Sequence, residues 1–249
     1  MSDVDWPQRY RQQSTWTADL RAYLIQRSGL STARRILEVG CGAGAITSSL
    51  HPSTSGQIFG LDISLPVLRQ ARAVDRASFF TCADAMRLPY PEAQFDGVVC
   101  HFFLLWASSP KLALAEMRRV CKPGGVVLAF AEPDYGARID FPPALEEIGR
   151  LQSESLTRQG ADLLIGRQLS ALFHQAGLVN VETGLLGGQW NRPPDTASLE
   201  LEWKVLASDL GDSVPHARLS ELRQLDSQAW ANGERVLFVP TFYAWGRVP

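Results

Sequence analysis

The chain has 249 residues, of which 45% are hydrophobic, and its 24 basic and 26 acidic side chains give a formal net charge of −2 at pH 7. This length suffices for one large domain with a full hydrophobic core, so we predict a single domain over residues 1–249. The charge is balanced and no run of lysines or arginines occurs, which disfavours a nucleic-acid partner, and no stretch of about 18 apolar residues indicates a membrane span.

The four cysteines do not suggest a metal site. Cys41, Cys82, Cys100 and Cys121 form no C-x-x-C pair and have no histidine at ligand spacing, so we expect neither a bound metal nor a disulfide framework. The polar N-terminus lacks the apolar segment of a signal peptide. These features are typical of a cytoplasmic protein with reduced thiols, and nothing in the sequence indicates its oligomeric state.

The first half of the chain alternates between short apolar runs and helical segments. The spacing of apolar residues predicts an N-terminal amphipathic helix over 16–27 that Gly29 ends. Strands separated by helices imply a parallel sheet with helices on both faces. The strands are predicted at 35–39, 57–61, 78–82, 96–101 and 126–131, and the helices at 43–50, 65–73 and 110–120.

The second half has a different character, with more helix and more aromatic residues. It predicts helical segments at 141–160, 165–176, 195–210 and 217–231, a strand at 179–183, and one long closing strand within 235–247. Aromatic residues of the flanking segments either wall an apolar cavity or pack helices onto the sheet. They are Trp6, Tyr10, Trp16, Phe141, Trp190, Trp203, Trp230, Phe242, Tyr243 and Trp245.

A glycine-rich stretch at 36–46 reads as strand, tight loop and helix. Gly40, Gly42 and Gly44 permit close approach of the backbone to a ligand, and the start of the following helix offers unpaired N–H groups. The loop also fits the loose dinucleotide fingerprint, with Asp62 at the distance of a ribose-binding acid. A nicotinamide-dependent reductase is therefore one interpretation.

Further residues surround this loop in a fixed order. Glu38 stands two residues before Gly40, Asp62 and Asp84 end the next two strands, and two segments follow, Phe95-Asp96-Gly97-Val98-Val99 and Lys122-Pro123-Gly124-Gly125-Val126. This arrangement resembles the class I S-adenosylmethionine-dependent methyltransferases, particularly those acting on small molecules. The resemblance covers residues 30–135 strongly. Asp84 and the turn at Lys122 count against the nicotinamide interpretation.

The resemblance implies an α/β fold with a Rossmann-like, doubly wound, seven-stranded sheet that is mostly parallel and has an antiparallel last strand. Residues 31–135 would form the cofactor-binding core, 1–30 an N-terminal helical cap, and 136–232 helical insertions over the substrate site. The implied activity is methyl transfer from S-adenosylmethionine to a small apolar or aromatic acceptor, without a nucleic-acid or membrane partner.

The resemblance also implies a set of cofactor-binding residues. Glu38 and the glycine loop would surround the methionine part, Asp62 would accept hydrogen bonds from both ribose hydroxyls, and Asp84 would accept from the adenine amino group. Each aspartate has a local alternative, Asp62 at a helix start and Asp84 as a cap of its own backbone. The full set is Glu38, Gly40, Cys41, Gly42, Gly44, Asp62, Ile63, Asp84, Ala85, Met86 and Cys100.

The chain departs from the family pattern after the fourth strand, where Leu105 and Ser109 replace a histidine and an acidic residue found in many relatives. Our candidate catalytic residues are His101, Glu132 and Tyr135, which would assist deprotonation of an acceptor. The alternatives are packing for His101 and an ordinary turn for 131–138. Because the expected histidine is missing, a protein that binds S-adenosylmethionine without methyl transfer, cyclase-like or regulatory, stays open.

Overall fold

The computed structural model describes residues 4–187 and 194–249. Its elements in chain order are α1 Trp6–Trp16, α2 Ala18–Arg27, β1 Arg35–Val39, α3 Ala45–Leu50, β2 Gln57–Asp62, α4 Leu65–Val74, β3 Phe79–Cys82, β4 Phe95–Cys100, α5 Pro110–Val120, β5 Cys121–Pro133, β6 Ile139–Phe141, α6 Glu146–Arg158, α7 Ile165–Gln175, β7 Val179–Leu186, α8 Thr196–Leu210, α9 His216–Ala231, β8 Val236–Phe238 and β9 Thr241–Arg247. No helix in these two ranges is long and apolar enough to cross a membrane.

Seven strands form one sheet in the order β3-β2-β1-β4-β5-β9-β7. Strands β1 to β5 are parallel, and β9 is antiparallel to both of its neighbours, β5 and β7. The predicted fold class is therefore confirmed. The strand order reverses on either side of β1, where Val39 is level with Leu61 of β2 and Cys100 of β4. In sheets of this kind the crevice at such a reversal holds the ligand.

Apolar side chains cover both faces of the sheet. One buried cluster contains Met117 of α5 and Phe173 of α7, and the other contains Leu24 of α2 and Ile46 of α3. A third cluster joins α6, α8 and α9 through residues that include Leu206. The helical insertions thus have a core of their own beside the sheet.

The prediction of one closing strand within 235–247 was wrong. Strand β8 pairs with β6 in a separate two-stranded sheet, and β9 begins only at Thr241. Between them lies Pro240, which has no N–H to donate to a sheet partner. Its carbonyl instead accepts the Asp134 N–H at 2.7 Å, so the break links the chain to the end of β5.

The N-terminal helix differs from the prediction in extent. The predicted segment corresponds to α2, and Gly29 follows it in the left-handed conformation with φ +76°. Helix α1 was not predicted, because its residues are mostly polar and show no apolar stripe. Its buried residue is Arg9, whose partner lies far away in the sequence.

Asp96, at the start of β4, holds three segments together. Its Oδ2 accepts the N–H groups of Arg34 and Arg35 at 2.9 Å each, and Oδ1 accepts from Lys122 Nζ at 2.6 Å. These contacts lower the pKa of the carboxyl against the opposing effect of burial. The role of Asp96 is structural.

We predict that Asp96→Ala lowers the free energy of unfolding by about 1–3 kcal/mol, because two backbone N–H groups and one ammonium lose their acceptor. Denaturant unfolding followed by circular dichroism measures this. Glu154→Ala removes an exposed helical pair with Arg150 and should cost less than about 0.5 kcal/mol. Equal losses in the two variants would contradict the role given to Asp96.

Candidate functional site

A cavity of about 1400 Å³ lies at the carboxyl ends of β1, β2 and β4. Residues from the strand ends, such as Glu38, line one part of it, and residues from α1, α6, α8 and α9, such as Trp203, line another. Cavities for a single ligand usually measure about 300–1000 Å³. The space is therefore large enough for two molecules side by side.

The glycine loop forms part of the cavity wall in a conformation that suits glycine. Gly40, Gly42 and Gly44 have φ values of +73°, +51° and +79°. The N–H groups of Gly40 and Cys41 donate to the Leu61 carbonyl at 2.8 and 2.9 Å, which fixes the loop on β2. A Cβ at Gly42 would find nothing closer than the Tyr10 ring at 4.0 Å, so the backbone there is open to a ligand.

Asp62 ends β2 beside this loop. Its Oδ2 accepts the Gly42 N–H and its Oδ1 accepts the Ser64 N–H, both at 2.9 Å. The two bonds fix the carboxylate at the cavity wall, and each oxygen retains a second acceptor site. Tyr10 of α1 lies close to the loop. Burial, and then the charge of Asp62, raise the pKa of its hydroxyl.

Glu38 of β1 is a buried carboxylate in the wall of the cavity, with 2% of its surface exposed. Burial raises its pKa to about 8, although a hydrogen bond from the Thr47 hydroxyl and the charge of Arg21 act in the opposite direction. Within residues 4–187 and 194–249, Glu38, Asp62 and Asp84 form no ion pair. These carboxyl oxygens can accept hydrogen bonds from hydroxyl or amino groups of a ligand, and their charge fits a ligand with cationic groups.

Asp84 follows β3, and its Oδ1 accepts the Met86 N–H at 2.8 Å. This bond is the backbone cap that was the alternative role of Asp84 in the sequence analysis. The residue also lines the cavity, together with Ala85 and Met86. Ile63, 73% exposed, lies at the same end of the cavity. Of the eleven residues predicted for cofactor binding, all except Gly44 and Cys100 line the cavity.

The local surroundings of Gly44 and Cys100 explain why these two residues do not line the cavity. Gly44 precedes α3, and a Cβ there would approach the Ala71 side chain to 3.1 Å. Cys100 is fully buried, and burial with the charge of Glu132 raises the pKa of its thiol well above the usual value. Neither residue therefore reaches the cavity directly.

His101 lines the cavity at the end of β4 and is 8% exposed. Its Nε2 lies 2.8 Å from the hydroxyl of Thr17, the residue between α1 and α2, and Thr17 also accepts from Arg21. Burial, helped by the charge of Arg21, lowers the pKa of His101 to about 3. The imidazole is therefore neutral, and its basicity is too low to favour proton removal at pH 7.

Glu132 is fully buried at the end of β5 and does not line the cavity. Its carboxylate accepts the N–H groups of Phe103 and Leu104 at 3.0 Å and that of Leu105 at 3.3 Å. Burial raises its pKa to about 7 in spite of these bonds. Glu132 thus holds the loop after β4, in which Phe102 adopts φ +50°, unusual for an aromatic residue.

Tyr135, the third candidate catalytic residue, lines the cavity. Burial raises the pKa of its hydroxyl, and the charges of Arg138, Glu202, Arg9 and Asp209 act on it. Arg9 of α1 forms an ion pair with Glu202 of α8, and all these residues line the cavity. The sequence did not indicate the charged members from α1 and α8, since they meet only in the folded chain.

Five of the aromatic residues named from the sequence line the cavity, namely Trp6, Tyr10, Trp16, Trp203 and Trp230. Phe141, Phe242, Tyr243 and Trp245 are not part of its wall, and Trp190 lies outside the described residues. In the described ranges, no group of three or more histidine, cysteine, aspartate or glutamate side chains is placed to hold a metal ion.

The known proteins that this chain resembles are methyltransferases. Residues 37–129 match the family model described as "Methyltransferase domain". The chain is 30% identical over 199 residues to the demethylmenaquinone methyltransferase of Lactococcus lactis, covering 72% of this chain and 77% of the relative. It is 34% identical over 127 residues to the malonyl-[acyl-carrier protein] O-methyltransferase of Erwinia pyrifoliae, covering 51% of this chain and 48% of the relative.

The chain spans about half the length of the first curated relatives that it matches. Among solved structures it resembles a phosphoethanolamine N-methyltransferase of Haemonchus contortus in complex with phosphomonomethylethanolamine and S-adenosylhomocysteine. The TM-score is 0.58 at 18% identity, with 91% of this chain and 52% of the other covered. At this identity the likeness shows the shared fold.

We predict that Glu38→Gln flattens the dependence of stability on pH in the ligand-free protein. The folded-state pKa of about 8 lies above the unfolded value of about 4.3, so the contribution of Glu38 is complete below that value and is lost as pH rises through 8. The amide oxygen of glutamine still accepts from Thr47. Thermal unfolding at pH 6 to 9 should therefore show a smaller decrease for the variant than for the wild type.

Glu92→Gln, which removes an exposed carboxylate, serves as the matched control and should retain the wild-type slope. Parallel curves for wild type and Glu38→Gln would show that Glu38 is not the buried titrating group.

Proposed function

Because the chain belongs to the class I S-adenosylmethionine-dependent methyltransferases, whose cofactor is S-adenosylmethionine, we propose that it transfers a methyl group to a small apolar or aromatic acceptor. The observation that carries this proposal is one continuous cavity that joins the carboxylate-lined strand ends to a space walled by tryptophans. One end suits the polar cofactor and the other suits an apolar molecule.

In this proposal the strand-end residues hold the cofactor. Asp62 accepts hydrogen bonds from the ribose hydroxyls and Asp84 from the adenine amino group, with Ile63, Ala85 and Met86 against the ring. Glu38 and the loop at Gly40 to Gly42 surround the methionine part. The support is chemical, because carboxylates without ion pairs at a cavity wall, one of them the buried Glu38, are stabilised by the sulfonium and ammonium charges of this ligand.

The cofactor, when bound, supplies an already activated methyl group, so the protein's task is to position the acceptor and exclude water. Two of our candidate catalytic residues suit supporting roles. His101 fixes the α1–α2 connection through Thr17, and Glu132 fixes the loop that brings Leu105 to the cavity wall. Tyr135 is placed to orient a polar atom of the acceptor.

The acceptor itself is proposed by class only. The relatives are named for demethylmenaquinone and for malonyl-[acyl-carrier protein], which differ in size and in reacting group. The support for an apolar or aromatic acceptor is the wall of Trp16, Trp203 and Trp230 in this chain.

The test is mass spectrometry after incubation of the protein with S-adenosylmethionine and a panel of phenols, quinols, amines and carboxylic acids. We expect an acceptor to gain one methyl group, with S-adenosylhomocysteine released in equal amount. Asp62→Asn should raise the KM for S-adenosylmethionine by at least about tenfold, because a charged acceptor of hydrogen bonds becomes neutral. Cofactor binding without methylation across the panel would contradict the proposal and favour the non-methylating, cyclase-like or regulatory role.

A further inference from the structure

The acceptor end of the cavity has charged side chains of its own, separate from the strand-end carboxylates that would bind the cofactor. Apart from the strand-end residues and Asp5, an exposed carboxylate that caps the start of α1, five charged side chains line the cavity, and they come from α1, α8, α9 and the segment after β5. They are Arg9, Arg138, Glu202, Asp209 and Asp226. The inference below rests on the proposed function, in which the strand ends hold the cofactor and this end holds the acceptor.

Four of these five charges are balanced within the protein. Arg9 pairs with Glu202 across α1 and α8. Asp226 accepts from Arg235 Nε at 2.7 Å, and Arg138 donates to Asp140 at 2.6 Å. The guanidinium groups at this end are therefore already engaged with carboxylates.

Asp209 is the fifth charge, and its surroundings differ. The neutral side chains of Gln152 and Gln159 lie next to its carboxylate, and it forms no ion pair with any residue in the described ranges. Burial raises its pKa, these two side chains and the charge of Arg9 lower it, and the charge of Glu202 raises it further. One negative charge at the acceptor end thus lacks a directly bound cation.

The position of Asp209 on its helix adds a second, independent cost. It lies in the last turn of α8, which ends at Leu210, where the negative end of the helix dipole disfavours an anion. A carboxylate that is partly buried and placed at this pole gains more from a bound cation than one on the surface.

Aromatic rings border the same region. Trp203 lies on α8 six residues before Asp209, and its Nε1 donates to Asp226 at 3.1 Å, which fixes the indole in the cavity wall. Trp230 and Tyr135 also line the cavity. Aromatic faces attract cations and accommodate apolar groups, so this lining suits an ammonium group on an apolar framework.

We propose that the acceptor-binding end of this cavity takes an amine, with its ammonium group bound to Asp209 and its apolar part against the tryptophan-lined wall. Gln152 and Gln159 provide neutral, polar surroundings for the carboxylate. The ammonium is a binding group and is separate from the atom that receives the methyl.

The experiment measures binding of matched probes to protein saturated with S-adenosylhomocysteine. 2-Phenylethylamine and tryptamine are compared by calorimetry with the neutral alcohols 2-phenylethanol and tryptophol. We expect each amine to bind at least about tenfold more tightly than its alcohol, as a charge-assisted hydrogen bond at a partly buried site provides. Asp209→Asn should remove this preference, because the amide keeps the shape of the side chain without its charge.

Glu200→Gln is the matched control, since Glu200 lies on the same helix but is exposed and pairs with Arg223 outside the cavity. It should retain the preference for amines. Amines that bind no better than alcohols, or a preference that survives in Asp209→Asn, would overturn the proposal. Binding of S-adenosylhomocysteine is measured for the wild type and for every variant. If the wild type does not bind S-adenosylhomocysteine, that result overturns the proposed function instead.

Discussion

The structure depends on a buried carboxyl group at the centre of a parallel sheet. Glu38 lies on β1, between β2 and β4, and is almost inaccessible to water. A carboxylate in this position is costly unless a cation or several donors stabilise it. Because the carboxyl ends of parallel strands meet at one edge, Asp62 and Asp84 reach the same cavity. The glycine loop leaves the backbone beside them open, and in the proposed function a cationic cofactor bound there would stabilise these carboxyl groups.

In the proposed function, helix α1 connects the cofactor end of the cavity to the acceptor end. Tyr10 lies beside Gly42, while Arg9 pairs with Glu202 and Gln12 donates to the Ser198 carbonyl, both on α8. The helix is therefore held by polar contacts from opposite parts of the chain, and little apolar packing fixes it. This arrangement makes the wall of the acceptor space depend on the same helix that covers the glycine loop.

The sequence predicted the features that depend on local pattern and missed those that depend on distant partners. Alternating strands and helices, and the loop at 36–46, are encoded in neighbouring residues. Helix α1 escaped prediction because its stabilising partner, Glu202, lies 193 residues from Arg9. Glu132 was predicted to face the substrate from its place at a strand end, but its side chain turns to the backbone of the loop after β4. No local sequence pattern marked Asp209, because its importance comes from its partial burial and from its position at the end of α8.

The central claim is that the strand-end carboxylates bind the cofactor directly, and calorimetric titration with S-adenosylhomocysteine tests it most directly. The account predicts that the wild type and Asp19→Asn, which alters an exposed aspartate of α2, bind it equally. Asp62→Asn should bind at least about tenfold more weakly and should remain folded, with a small decrease in unfolding temperature because one of the two N–H groups that Asp62 accepts loses its acceptor. Equal affinity of Asp62→Asn and the wild type would contradict the account.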